Sequence, residues 1–152
     1  MSLPQPSVKG IIQAKKNLEG ISEVTPLKLN QILSDETGAK VYLKREDLQI
    51  VRSYKIRGAY NFISQLSAAE KKQGVVCSSA GNHAQGFAYS CQLLKIKGIV
   101  FMPTPTPKQK VEAVKRVGRN YVEVILSGDT YDDAKSAALK YVHKYNKIFV
   151  PP

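Results

Sequence analysis

From Gly74 onward the chain alternates short apolar runs with longer amphipathic stretches, and that rhythm leaves one class of fold open. Val75-Val76-Cys77 is a short apolar strand. Asn82 to Leu94 reads as a helix, with Ala84, Phe87, Ala88, Cys91 and Leu94 on one face. Gly98 to Met102 is a buried strand, closed by the prolines at 103, 105 and 107. Pro107 suits the first turn of a helix that carries Val111, Val114 and Val117 and stops at Gly118. Tyr121 to Leu126 is a third strand. Asp129 or Thr130 opens a helix containing Ala134, Ala137, Ala138, Tyr141 and Val142, and Lys147 to Val150 is a fourth strand. Strand–helix–strand repeats demand parallel pairing through crossovers, so the fold class is α/β: an open, mainly parallel sheet covered by helices.

The first half is less regular. Val8, Ile11, Ile12 and Leu18 recur at helical spacing, and Thr25-Pro26-Leu27 breaks that pattern. A helix-like stretch from about Lys28 to Leu33 ends at Gly38, Val41-Tyr42-Leu43 is a short strand, and Arg57 to Leu66 reads as a helix.

Composition removes several functions. The net charge is +11 and the sequence pI about 9.7, which suits a nucleic-acid binder. The lysines are scattered on solvated helix faces, however, there is no Trp, and no basic run is interleaved with Tyr or Phe, so nucleic-acid binding is not expected. Cys77 and Cys91 form no C-x-x-C pair and no Cys/His cluster, so no metal site is expected; they read as reduced cysteines, at least one in a core strand. No run is long enough for a membrane span. Met1-Ser2-Leu3-Pro4-Gln5-Pro6 lacks the pattern of a signal peptide, so a cytoplasmic protein is expected.

Two segments carry chemistry. Ser78-Ser79-Ala80-Gly81-Asn82-His83-Ala84-Gln85-Gly86 lies between a strand and a helix, beyond the carboxyl end of the strand, where open α/β folds bind ligands. Its small residues let a ligand approach the backbone, and the helix start favours an anion. An ordinary βα turn with Asn82 as cap fits the same residues. In the second, Arg52-Ser53-Tyr54-Lys55-Ile56-Arg57-Gly58-Ala59, a lysine near a helix start stands between two arginines. Such surroundings push an amine toward its neutral, nucleophilic form. Alone, Lys55 reads as a surface lysine, and the segment gains weight only in combination with the first.

Together the two segments resemble the pyridoxal-phosphate enzymes of the threonine/serine dehydratase type, the fold type II or tryptophan-synthase-β-like group. Ser53 to Ala59 is similar to that group's lysine motif, and Ser78 to Gly86 to its asparagine loop. Thr25-Pro26-Leu27, Lys44-Arg45-Glu46-Asp47-Leu48-Gln49, Met102-Pro103, Thr106-Pro107 with Lys110, and Ser127-Gly128-Asp129 match in the same order. The stretch from Glu46 to Lys55 is most similar to the group's threonine ammonia-lyase branch.

The resemblance implies pyridoxal 5'-phosphate as cofactor and an amino acid as substrate. Lys55 would hold the cofactor as a Schiff base and then remove the substrate α-proton. Tyr54, where many members have phenylalanine, would offer an aromatic face to the cofactor ring. Asn82 would hydrogen-bond the cofactor's phenolic oxygen. Ser79, Ala80, Gly81, Asn82 and His83 would bind the substrate carboxylate through backbone N–H groups and a hydroxyl. The implied reaction is α,β-elimination of L-threonine to 2-oxobutanoate and ammonia, the first step of isoleucine synthesis. Serine dehydratase or serine racemase is the enzymatic alternative, and an α/β interaction module for acidic partners the non-catalytic one.

The group's glycine-rich phosphate cradle is not found: no two of the ten glycines are adjacent. The chain is therefore expected to be an N-terminal portion with little or no turnover alone, drawn from a homo-oligomeric parent whose C-terminal portion completes the phosphate site. Residues 1–48 would begin the large domain and 49–152 would form the small one. The large domain's first elements would expose apolar surface for want of partners.

Overall fold

The computed structural model describes residues 5–152; residues 1–4, within the Met1–Pro6 stretch considered above, lie outside the described part. Four strands form one parallel sheet: β3 (Val75–Ser78), β4 (Gly98–Met102), β5 (Val122–Leu126) and β6 (Ile148–Phe149), in the order β5-β4-β3-β6. The helices between them are α5 (Asn82–Leu94), α6 (Lys108–Gly118) and α7 (Tyr131–Tyr145). The expected α/β class, with its parallel sheet and crossover helices, is what the chain adopts.

Strand periodicity sorts the core into two layers. On one face Val75, Cys77, Val100 and Met102 pack with Phe87, Cys91, Val111 and Val114 of α5 and α6, and with Ile63 of α3 (Lys55–Ser64). On the other, Val76 and Phe101 meet Ala138 and Tyr141 of α7. Phe87, Val76, Val100 and Cys77 are completely buried, and each large apolar side chain so placed contributes about 1.5–3 kcal/mol. Gly98 lets α5 approach β4: a Cβ there would lie 2.6 Å from Cys91 Sγ and 2.8 Å from the Phe87 ring.

The N-terminal elements are laid out differently. Helix α1 (Val8–Asn17) follows the Ser7 cap, and β1 (Leu27–Leu29) pairs antiparallel with β2 (Tyr42–Lys44) around α2 (Gln31–Thr37). None of these elements contains a buried residue, and Val8, Ile11, Leu27 and Ile32 are exposed. The expected helix from Lys28 is corrected. Lys28 and Leu29 form a strand opposite Leu43 and Tyr42, and the helix begins only after Asn30, whose side chain accepts the Leu33 N–H at 2.9 Å. Helix α4 (Ala68–Gln73) lies outside the elements expected from apolar spacing; a reciprocal cap between Ser67 and Glu70 starts it.

Among the described residues no helix is long and apolar enough to cross a membrane, and no group of three His, Cys, Asp or Glu residues stands ready for a metal ion.

Candidate active site

Helices α3 and α5 bring the two motifs together. Lys55 is the first residue of α3 and Asn82 the first of α5. The helices cross where Gly86 meets the Lys55–Ile56 peptide: a Cβ on residue 86 would lie 2.8 Å from the Lys55 carbonyl carbon and 2.9 Å from the Ile56 nitrogen. Only a glycine permits that approach, so the spacing from Asn82 to Gly86 sets the start of α5 beside the start of α3.

Both helices, like α6, begin without a side-chain cap, whereas α1, α2, α4 and α7 each have one. Gly81, not Asn82, occupies the cap position of α5, so the reading of Asn82 as an ordinary cap does not hold. The first N–H groups of α5, on Asn82 and His83, are left without intrahelical acceptors. In the loop before them the Ser79 N–H donates to the Phe101 carbonyl at 3.0 Å, and Ser79 Oγ accepts the Gly81 N–H at 3.2 Å. The space beside Gly81 is open: a Cβ on that residue would meet nothing within 4 Å. Ala80 is half-buried and Asn82 exposed.

Two further polar groups flank the motifs. The hydroxyls of Ser53 and Ser78 are buried and have no hydrogen-bond partner. One precedes the lysine by two residues; the other ends β3, immediately before the loop. Buried hydroxyls without partners are costly, and these two adjoin the two motifs.

Tyr54 is exposed, and Lys55 Nζ stands 5.3 Å from the centre of its ring. His83 is buried, with Nε2 3.3 Å from the Val150 carbonyl oxygen. Burial pushes its pKa below the ordinary value; the Val150 carbonyl opposes that shift and the Lys55 charge adds to it.

Of the two arginines expected to crowd Lys55, Arg57 is engaged elsewhere. Arg57 forms a two-pronged ion pair with Glu46, with Nε and Nη2 each 2.8 Å from a carboxylate oxygen. Arg52 is exposed and adopts a left-handed backbone conformation, φ 58°, in the turn before Ser53. Sequence reasoning does not pair Glu46 with Arg57, although both residues lie in the motifs named above. A groove of about 780 Å³ runs between α1 and α3, lined by Ile11, Leu18, Arg57 and Asn61, and includes neither Lys55 nor Asn82.

A parallel α/β lobe whose uncapped helix starts present a lysine and an asparagine loop beside unpaired hydroxyls belongs to the class of cofactor-binding enzyme lobes. Residues 19–152 match the family model of pyridoxal-phosphate-dependent enzymes, and the chain belongs to that family. It is 53% identical over 145 residues to the biosynthetic L-threonine dehydratase of Halalkalibacterium halodurans, covering 95% of this chain and 35% of that protein. It is 52% identical over 142 residues to the protein of the same name from Mycobacterium tuberculosis, covering 93% and 33%. Among solved structures, the processed form of threonine deaminase isoform 2 from Solanum lycopersicum superposes with a TM-score of 0.84 at 38% identity, covering 99% of this chain and 42% of that one. Maize serine racemase gives 0.86 at 26%, covering 95% and 43%. The chain spans about a third of the length of the curated relatives it matches.

Proposed function

We propose that this chain supplies the lysine-bearing lobe of an enzyme that converts L-threonine to 2-oxobutanoate and ammonia by α,β-elimination, in the cytoplasm, as the entry to isoleucine synthesis. The observation that carries the reading is the contact of Gly86 with the Lys55 peptide, which brings the start of α3 beside the start of α5. The identity to biosynthetic threonine dehydratases supports threonine over serine as the substrate.

The residues present fit pyridoxal 5'-phosphate: Lys55 would hold it, with Tyr54 against its ring and Asn82 at its phenolic oxygen. When bound, that group supplies an electron sink that stabilises negative charge at the substrate α-carbon. Lys55 Nζ, as the free amine, would take the α-proton; its place on the first turn of α3 limits how far the amine travels. The substrate carboxylate sits at the start of α5, on the N–H groups of Ala80, Gly81, Asn82 and His83 and the Ser79 hydroxyl. The positive end of the helix dipole favours it there. Ser79 Oγ gives up its bond to the Gly81 N–H to serve that anion, freeing the Gly81 N–H for the same purpose.

Residues 1–48 would belong to a larger domain and 49–152 to a smaller one, in a homo-oligomer. The test is covalent capture. The protein is incubated with pyridoxal 5'-phosphate, reduced with borohydride and mapped by peptide mass, with Lys55→Ala as control. Label concentrated at Lys55 and lost in the variant is expected. Label scattered over the lysines overturns the reading.

A further inference from the structure

We propose that Glu46 acts, through Arg57, as a positioning residue for Lys55: the clasp they form fixes the first turn of α3, on which the amine is carried. This rests on the reading of Lys55 as the cofactor-bearing lysine.

The clasp joins three separate parts of the chain. Arg57 donates Nε and Nη2 to the two oxygens of Glu46, Nη1 to Ser22 Oγ at 3.0 Å and Nη2 to the Glu23 carbonyl at 2.9 Å. Glu46 also accepts from the Thr25 hydroxyl and, at 3.3 Å, from Gln49 Nε2. Gln49 in turn bonds Glu23 twice, donating to its carbonyl at 2.8 Å and accepting its N–H at 3.0 Å. Thr25 and Gln49 are buried, at 4% and 1% exposure, while the Glu46 carboxylate and the Arg57 guanidinium are part-buried. A two-pronged guanidinium–carboxylate pair fixes orientation as well as distance, which a lysine in place of Arg57 cannot do.

Its location gives the clasp its effect. Arg57 shares the opening turn of α3 with Lys55, and that turn has no cap of its own. Behind it, Gly86 fixes the backbone of Lys55 against α5. The turn is therefore held on one side by steric contact and on the other by Glu46. Tilting it alters where Lys55 Nζ stands relative to the start of α5, and displacements of about 1 Å at a reacting group cost up to about a hundredfold in rate.

The test uses the full chain and reads reactivity of one amine, not turnover. Wild type, Glu46→Gln, Glu46→Asp and Arg57→Lys are captured with pyridoxal 5'-phosphate and borohydride, and the yield at Lys55 is divided by that at the other lysines. Circular dichroism and thermal unfolding select variants that remain folded. In Glu46→Gln the ratio is expected to fall about tenfold, within the range that misplacement of a reacting group produces. Glu46→Asp, which keeps the charge, recovers part of it; a purely stabilising role would leave the ratio unmoved in every folded variant. Should Glu46→Gln not fold, Arg57→Lys decides the matter, because it keeps a cation opposite Glu46 and loses the fork together with the bonds to Ser22 and the Glu23 carbonyl. A wild-type ratio concentrated at Lys55 and unchanged in the folded variants overturns the positioning role and leaves the lysine assignment standing. A wild-type ratio near that of any other lysine overturns both.

Discussion

Gly86 lies in backbone contact with Lys55, closely enough that a methyl group on residue 86 would sit 3.0 Å from the Lys55 carbonyl oxygen and closer still to its carbon. That contact has no flexible side chain on either side to absorb an intrusion. Gly86→Ala is therefore expected to push α5 away from α3, at a cost of about 1–3 kcal/mol from overpacking, although alanine is the better helix former. Urea unfolding measures the cost. Capture of Lys55 by pyridoxal 5'-phosphate should fall in the same variant even where it remains folded. A Gly86→Ala protein as stable and as reactive as wild type would show that the helices have room to spare.

Much of this is legible because burial writes a period into sequence. Asn82–Leu94 and Gly98–Met102 have the bounds that their apolar residues predict, since α5 and β4 lie at the centre of the core. Lys28-Leu29 misleads because a three-residue exposed strand carries no period; its partner at Tyr42-Leu43 decides its conformation. Helix α4 has no apolar stripe either, but its Ser67-x-x-Glu70 cap is a signal that could have revealed it. Both chemical motifs stand in the sequence, yet not how they meet. Nothing in the spacing says that Gly86 faces Lys55, or that Glu46 will take the charge of Arg57 from eleven residues away. Those relations arise only when α3 and α5 cross and the Glu46–Gln49 turn folds back on Glu23 and Thr25.

Glu46 also gives stability a defined pH dependence. The Arg57 guanidinium holds its carboxyl at about 2, below the ordinary 4.5, against an opposing effect of burial and with help from Thr25 and Gln49. A carboxyl depressed in the folded state binds its proton first in the unfolded chain. Its contribution is present above the ordinary value and is lost as pH falls from there toward about 2. Thermal midpoints followed through that window should fall less steeply in Glu46→Gln than in wild type. Asp47, Glu70 and Asp133 are lowered by their own hydrogen bonds, so part of the acid slope should survive. An acid slope identical in the two proteins would argue that the ion pair forms equally well in the unfolded chain.

His83 is expected to remain neutral to lower pH than an ordinary histidine. Burial is the main cause, the Val150 carbonyl works against it, and the charge of Lys55 adds to it. A nitrogen-15 NMR titration should place its midpoint below 6.5, and Lys55→Met should move that midpoint upward. Because the lowered pKa belongs to the folded state, the unfolded chain takes the proton first, and stability should decline as pH falls below 6.5. A midpoint at or above 6.5, or one indifferent to residue 55, would separate the imidazole from the lysine and weaken the case that α3 and α5 share one site.

The two thiols supply a check on all the variants above. Cys77 lies within β3 and Cys91 on the inner face of α5; both are free and fully buried. Burial raises both thiols above their ordinary pKa, and the neighbouring Cys91 adds to the effect at Cys77. Thiolate is the reactive form, so both should resist a water-soluble disulfide reagent in the folded protein and react rapidly in urea. The sheet and α5 must open to expose them, and labelling under native conditions therefore follows unfolding rather than surface access. A Glu46→Gln or Gly86→Ala protein that loses Lys55 capture while its thiols remain protected has lost the placement of the amine and kept its core. If wild-type thiols react at once, the packing of α5 against β3 and β4 is looser than the close approach at Gly98 requires.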